Sequence, residues 1–382
     1  MEIIRLLEKT LLNRLVPNKV QLIFGTRRVG KTFLLNRIVS KTSYKNLVLQ
    51  GEDIDVQQVL GQRSIANYQR LLGDTELLVI DEAQAIPEVG KVLKLIVDNF
   101  EGIRVIVTGS SAFDLANLSG EPLTGRASFH ELYPIAQQEL LPFENALQTI
   151  QNVEDRLLFG SYPELWNLPL GAAKAEYLKD MVNSYLLKDI MAYEGIRNSS
   201  KIRDLLRLIA FQLGKEVSMD ELGKQLQMSK NTVEKYLDLC TKVFILKKVE
   251  AFSRNLRKEI TKSARWYFWD VGVRNALIND FRPLVIRTDV GELWENYLIS
   301  ERLKVLKYTS SLSETFFWRT YDQQEIDWIE IKDGRIDAYE FKWQKKQAKI
   351  PKAFAEAYPE ASFTVIHREN YLSFVTELAS SV

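Results

Sequence analysis

The stretch "VQLIFGTRRVGKT", Val20 to Thr32, decides how the front of this chain is read. Val20 to Phe24 has the length and apolar content of a buried strand. Gly25 to Thr32 then fits G-x-x-x-x-G-K-[ST] in full. Glycines let the backbone curl so that its N–H groups face phosphate oxygens. The amphipathic "FLLNRIV" that follows aims the positive end of a helix at the same place. On this reading the loop of Gly25, Thr26, Arg27, Arg28, Val29 and Gly30 cradles the phosphates of ATP. Lys31 reaches the β and γ phosphates, and the Thr32 hydroxyl binds Mg²⁺. A glycine loop with no ligand is the competing reading, disfavoured by the strand before it and the helix after it.

Working outward, "ELLVIDEAQAI" is an apolar strand, Leu77 to Ile80, tipped by Asp81 and Glu82. An acid at this strand tip holds the Mg²⁺ shell in P-loop enzymes, which suits Asp81. Glu82 is then placed to polarise an attacking water. "NLVLQ" at Asn46 to Gln50 suggests a further strand, and "IRVIVTGSSAF" another, Ile103 to Val107, ending in Thr108, Ser110 and Ser111. Ser110 is the candidate sensor of the γ-phosphate; the alternative is that these hydroxyls cap the next helix. Strands alternating with helices imply a parallel sheet covered on both faces.

The whole chain has 382 residues, 46% hydrophobic and 26% charged, with net charge +1. That length implies two or three domains, and no global field announces nucleic acid or membrane. One cysteine, Cys240, and two histidines, His130 and His367, remove internal disulfides and most zinc sites. The opening "MEIIRLLEKTLLNRLVPNKV" reads as an amphipathic helix ending near Pro17, without the unbroken apolar core of a signal peptide. No apolar run approaches the ~18 residues of a membrane span, so a cytoplasmic address is expected.

"VSMDELGKQLQMSKNTVEKYLDLC" contains Ser218-x-x-Glu221, a capping box, then a break at Gln227-Met228 and a second cap at Ser229. This helix-turn-helix pattern would present Lys230, Asn231, Thr232 and Lys235 to a DNA groove. "FILKKVE" and "ARWYFWD" read as the strands of a wing. Lys247, Lys248, Arg254, Arg257, Lys258, Lys262 and Arg265 against Glu250 and Glu259 make that region locally basic, a source of phosphate contacts. The alternative is a helical lid with an ordinary solvated charge run.

Near the end, "QEIDWIEIKDGRIDAYEFKW" (Gln324 to Trp343) reads as a hairpin about Asp333-Gly334. Lys332 then faces Arg335, and Asp327 lands opposite Glu340. Facing carboxylates destabilise a sheet; a divalent cation between them, Mg²⁺ by its preference for hard oxygens, would convert repulsion into coordination. Lys342 shares the face of Glu340. Asp followed by Glu-x-Lys on the next strand is the pattern of the PD-(D/E)xK nucleases, with Glu295 a possible further acid. The alternative is a relic of that fold kept as a docking module.

"GTRRVGKT", "VIDEAQ", "TGSSA", "LTGR", "SYPEL", "YFWDVGVRN", "GELWENYLISERL" and "FWRT…EIDWI…YEFK" follow one another in this order. The string resembles a group of bacterial and archaeal AAA-type ATPases, over nearly the whole chain. The resemblance implies an α/β architecture: a P-loop NTPase parallel sheet of the AAA+/ASCE type, a helical winged-helix region, and an α/β restriction-endonuclease-like domain. With the punctuation "GSYPE" at Gly160 to Glu164, the expected domains are 1–160, 161–285 and 286–382. It also implies a catalytic glutamate, Glu82, and a conformation- or subunit-sensing arginine at the nucleotide site, Arg126; the alternative for Arg126 is a solvated residue at the start of a strand. The expected function is ATP hydrolysis with Mg²⁺ by a protein acting on DNA, with a possible metal-dependent nuclease domain at the back. The alternative is an ATP-driven regulatory switch that binds DNA or a protein partner without cutting, and a homo-oligomer is compatible with either.

Overall fold

The computed structural model describes residues 2–109, 123–169, 171–186, 190, 199–252 and 264–377. The chain divides into two units, Met1–Pro134 with Lys242–Phe244, and Ile135–Thr241 with Ile245–Val382.

In unit 1, β1 (Lys19–Phe24), β2 (Asn46–Gln50), β3 (Leu77–Asp81), β4 (Arg104–Gly109) and β5 (Ala127–Glu131) form a parallel sheet in the order β2-β3-β4-β1-β5. Buried Val, Ile and Leu fill β1, β3 and β4, as expected where both faces are covered. Around them lie α1 (Leu6–Asn13), α2 (Lys31–Lys41), α3 (Ile54–Gly61), α4 (Ile65–Leu72) and α5 (Val89–Asn99). β4 is inserted between β1 and β3, and its register aligns Gly109 with Phe24 and Val107 with Ile80. The carboxyl ends of three strands therefore finish together, where open α/β sheets gather ligands.

Unit 2 begins with a turn of helix at Gln137–Leu140, then α6 (Ala146–Phe159), α7 (Ala172–Met181), a π-helical turn at Val182–Leu186, and α8 (Ser199–Phe211). α9 (Met219–Leu226) and α10 (Lys230–Lys242) follow. The turn at Gly160–Glu164 lies within this unit: the Ser161 carbonyl accepts from Ile135 N–H at 2.9 Å, and Ser161 N–H donates to Asp270 at 2.7 Å. Asp270 also caps α11 (Val271–Ile278), and burial pushes its carboxyl up to about 6.

β6 (Leu246–Ala251) and β7 (Ala264–Phe268) pair antiparallel, as a wing would. They are not a free hairpin, however, because β6 also runs parallel to β8 (Glu314–Arg319). With β9 (Glu325–Lys332), β10 (Arg335–Phe341) and β11 (Ser362–Ile366) they complete a sheet ordered β11-β10-β9-β8-β6-β7. α12 (Val290–Tyr308) is buried along most of its length. Its Asn296 amide accepts from Phe268 N–H at 2.7 Å and donates to the Phe268 carbonyl at 2.9 Å, acting as one more rung beside β7. α13 (Lys352–Ala357) and α14 (Tyr371–Thr376) close the unit. Among the described residues no helix is long and apolar enough to cross a membrane.

Candidate functional site

The phosphate loop is shaped by its backbone. A Cβ on Gly25 would lie 2.3 Å from the Leu132 carbonyl oxygen, so only glycine allows the chain to leave β1 so close to the end of β5. Gly30 turns with φ 98° into α2, a conformation that glycine adopts without strain. Lys31 is buried and donates to the Gly25 and Thr26 carbonyls at 3.0 and 3.2 Å. It also lies 3.8 Å from the Glu82 carboxylate. Arg27 extends to within 3.9 Å of Glu52 at the loop's outer side, and Arg28 takes a positive φ of 64°. Thr26 and Val29 are buried within the loop.

The tip of β3 meets this loop. Thr32 Oγ1 donates to Asp81 Oδ2 at 2.5 Å, so a hydroxyl and a carboxylate converge at the start of α2. Two hard oxygen donors beside a phosphate cradle fit Mg²⁺, which is commonly held by one or two protein groups with phosphate and water completing its shell. Glu82 adopts a left-handed backbone, φ 49° and ψ 46°, unusual for a non-glycine residue. Its N–H donates to Asp81 Oδ1 at 3.1 Å and to Thr108 Oγ1 at 3.0 Å, and its carboxylate accepts from Gln84 at 2.6 Å.

Ser110 lies outside the described residues, whereas Thr108, fully buried at the end of β4, donates its hydroxyl to Asp81. Arg126 precedes β5 and ion-pairs with Asp98 at 2.6 Å. Its carbonyl accepts from Val20 N–H, so it sits at the amino end of the sheet, about 17 Å of strand from the loop. That distance keeps it away from the phosphate loop of its own chain.

In unit 2 the hairpin has the expected register. Lys332 pairs with Arg335 and Trp328 with Tyr339, with Asp333 and Gly334 at φ 50° and 82°, the signs a type I′ turn requires. The paired rungs end at Trp328 and Tyr339, and Asp327 and Glu340 are the next positions beyond them. Asp327 Oδ2 accepts from Phe341 N–H at 2.8 Å, and Glu340 accepts from Lys342 at 2.6 Å. Burial, then the Glu295 and Glu340 carboxylates, push the Asp327 carboxyl well above its usual range. Glu295 on α12 accepts from the Tyr267 hydroxyl at 2.6 Å, and burial raises it to about 7.

Arg265 enters the same cluster, against expectation. Instead of facing DNA it is buried, 2.7 Å from Glu325, 3.7 Å from Glu295 and 4.0 Å from Asp327. Cationic charge from Arg265 and Lys342, together with raised carboxyl pKa values, thus meets the repulsion assigned above to a metal. Among the described residues no group of three or more His, Cys, Asp or Glu side chains is arranged to hold a metal ion.

The helix-turn-helix geometry is present. Ser218 Oγ accepts from Glu221 N–H at 3.3 Å, Gln227 turns with φ 51°, and Ser229 Oγ accepts from Thr232 N–H at 3.2 Å. Val233, Leu237 and Cys240 are buried. Asn231 and Lys235 are exposed, while Lys230 lies 3.5 Å from Asp220. Of the basic run, Lys248 pairs with Glu250 at 2.6 Å, and Arg254, Arg257, Lys258 and Lys262 lie outside the described residues.

Residues 17–141 match a family model described as an AAA domain. Unit 1 is an AAA-type P-loop ATPase fold. Residues 150–283 and 290–378 match two domains of unknown function, DUF8612 and DUF4143. The chain is similar to an uncharacterized protein of Mycobacterium tuberculosis, 27% identical over 85% of this chain and 70% of that one. An uncharacterized protein of Methanocaldococcus jannaschii is 24% identical over 63% of this chain and 58% of its own length. Among solved structures, a Walker-type ATPase of Pyrococcus abyssi aligns with TM-score 0.49 and 16% identity, covering 72% of this chain and 94% of that one.

The AAA-type domain also contains a residue the sequence reading passed over. Arg5, just ahead of α1 and 3% exposed, donates to the Val29 carbonyl at 2.7 Å and the Tyr133 carbonyl at 2.5 Å. It ties the phosphate loop to the end of β5. Its place in an amphipathic helical stretch gave no signal of that role, because the partners are carbonyls far away in sequence.

Proposed function

We propose that this protein binds and hydrolyses ATP in unit 1 and acts on DNA through unit 2. The observation that carries the first part is the convergence of Lys31, Thr32, Asp81 and Glu82 at the carboxyl ends of the strands. Thr32 and Asp81 would hold Mg²⁺, which would supply positive charge to offset that of the phosphates. Loop N–H groups and the amino end of α2 bind the phosphate oxygens. Lys31, released from the Gly25 and Thr26 carbonyls, adds its charge to them. Glu82, oriented by Gln84 and the bonds of its own N–H, accepts a hydrogen bond from a water and directs that water at the γ-phosphorus. Thr108 fixes Asp81 while this happens.

DNA contact is inferred from the capped helix-turn-helix and the exposed Asn231 and Lys235 on α10, beside Lys230 and Thr232. Lys230→Glu with Lys235→Glu should weaken binding to duplex DNA at least tenfold at ~50 mM salt, and should lessen the steepness of the salt dependence by about two phosphate contacts. Filter binding across a salt series measures both. Duplex binding that is absent in the wild-type protein at low salt, with and without ATP, makes α10 a packing element.

For the Asp327–Glu340 cluster two readings compete. Phosphodiester cleavage with Mg²⁺ or Mn²⁺ is supported by the register and by Lys342 beside Glu340. A non-cleaving regulatory module is favoured by Arg265, which already neutralises the buried acids. Asp327→Asn decides between them. In metal-free buffer it should leave the melting temperature unchanged or raised, since one of three neighbouring carboxylates becomes neutral. If the cluster cuts, wild-type protein should be stabilised by Mn²⁺ and cleave DNA, and Asp327→Asn should lose both effects with ATP hydrolysis intact. Wild-type protein that shows neither effect establishes the regulatory reading.

A further inference from the structure

Among the helices of unit 2 is a cavity of about 300 Å³, near the lower end of the size range of small-molecule sites. α7 supplies Lys179, and the π-helical turn after it supplies Asn183. α8 supplies Arg203 and Arg207, four residues apart and therefore on one face. Leu277 and Asn279, at the end of α11, close the far side.

The chemistry of this lining is one-sided. Three cations meet at the cavity, and among the described residues none that lines it is an aspartate or glutamate. Arg203 Nε is buried and has no hydrogen-bond partner. Arg207 donates its Nε to the Leu277 carbonyl at 3.0 Å, which fixes the plane of its guanidinium. Lys179 Nζ lies 6.0 Å above the ring of Phe281. Like charges four apart on a helix repel, and a buried charged donor without a partner costs more than a neutral one. Unit 2 therefore carries a positively charged site, with a volume attached and no acidic partner among the described lining residues. An anion removes both costs, and planar guanidinium forks match phosphate oxygens better than they match a spherical ion. Asn183 and Asn279 add neutral donors and acceptors at the rim.

We propose that this cavity binds a phosphorylated small molecule, up to about mononucleotide size, at a site separate from the phosphate loop of unit 1. Arg203 is the central ligand and Arg207 the second arm.

Inorganic pyrophosphate is the probe, titrated calorimetrically into the full chain carrying Lys31→Ala, so that binding at the phosphate loop is suppressed. Saturable binding is expected, with a rise in melting temperature. Adding Arg203→Gln should weaken it at least about tenfold, the loss of a charge-assisted contact. Arg203→Lys keeps the charge without the fork and should fall between the two, which separates lost recognition from lost folding. ATP turnover at the phosphate loop of the otherwise unaltered protein should be the same with and without Arg203→Gln. The proposal is overturned if pyrophosphate does not bind the Lys31→Ala protein, or binds equally after Arg203→Gln. It is overturned too if a short oligonucleotide occupies the cavity, displaced by Arg203→Gln, while pyrophosphate does not; the lining would then be a backbone contact for nucleic acid.

Discussion

Glu82→Gln should leave ATP bound and slow its hydrolysis by about 100-fold or more, the usual weight of a positioned general base. The glutamine keeps the length of the side chain and can still contact Gln84, but it cannot draw a proton from water. Lys31→Ala should act differently. It removes the cation that lies among the Gly25 and Thr26 carbonyls and 3.8 Å from Glu82, so nucleotide affinity itself should fall, along with turnover. Phosphate release and equilibrium binding of a fluorescent ATP analogue, measured on both variants, separate the two effects. Undiminished turnover in Glu82→Gln and Lys31→Ala alike would remove ATP hydrolysis from this site.

The largest stability effect is expected deep in unit 2. Arg302 on α12 is 2% exposed and grips Glu330 of β9 with two bonds, Nε to Oε1 at 2.6 Å and Nη2 to Oε2 at 2.8 Å. It also donates to the Phe374 carbonyl at 2.9 Å and stacks 4.9 Å from the Phe374 ring, so it ties α12, β9 and α14 together. Trp328 adds a bond to the same carboxylate at 2.9 Å. Removing one partner of a buried pair leaves an uncompensated charge, at ~3–5 kcal/mol. Arg302→Met should therefore lower the melting transition of unit 2 by roughly 10 °C or more. Arg302→Met combined with Glu330→Met should recover much of the loss, since an apolar pair of similar volume replaces both charges. Calorimetry should show the transition of unit 1 unmoved. A double variant no more stable than the single one would mean that the pair is held by more than charge compensation.

Local patterns carried far in this protein. The strand before Gly25, the αL glycine at position 30 and the helix from Lys31 are all consequences of short-range chemistry. So is the hairpin, since Asp333-Gly334 sets a turn type and the turn type sets the register of every rung beyond it. The caps at Ser218 and Ser229 are of the same kind. Less legible were positions whose meaning depends on a distant partner. Thr108 and Ser110 are equivalent as hydroxyls after an apolar strand; the insertion of β4 beside β3 is what brings Thr108 to Asp81. Arg126 resembles a conformation- or subunit-sensing arginine by its motif, yet parallel pairing with β1 puts it at the end of the sheet opposite the phosphate loop.

Arg265 is the clearest instance. In sequence it is one basic residue in a run of them, and a run of positive charge reads as a solvated or DNA-facing surface. In the fold it sits on β7, where Glu295 from α12 and Asp327 from β9 converge on it, and it becomes a buried counter-ion. The sequence by itself determined the phosphate loop, the acidic strand tip, the helix-turn-helix caps and the hairpin register, because each is fixed by residues within a few positions of one another. Only the tertiary structure decided which charges meet. Burial strengthens or penalises a charge according to what lies beside it, and that neighbour is chosen by strand order and helix packing across 60 residues or so, between Arg265 and Asp327 in this case.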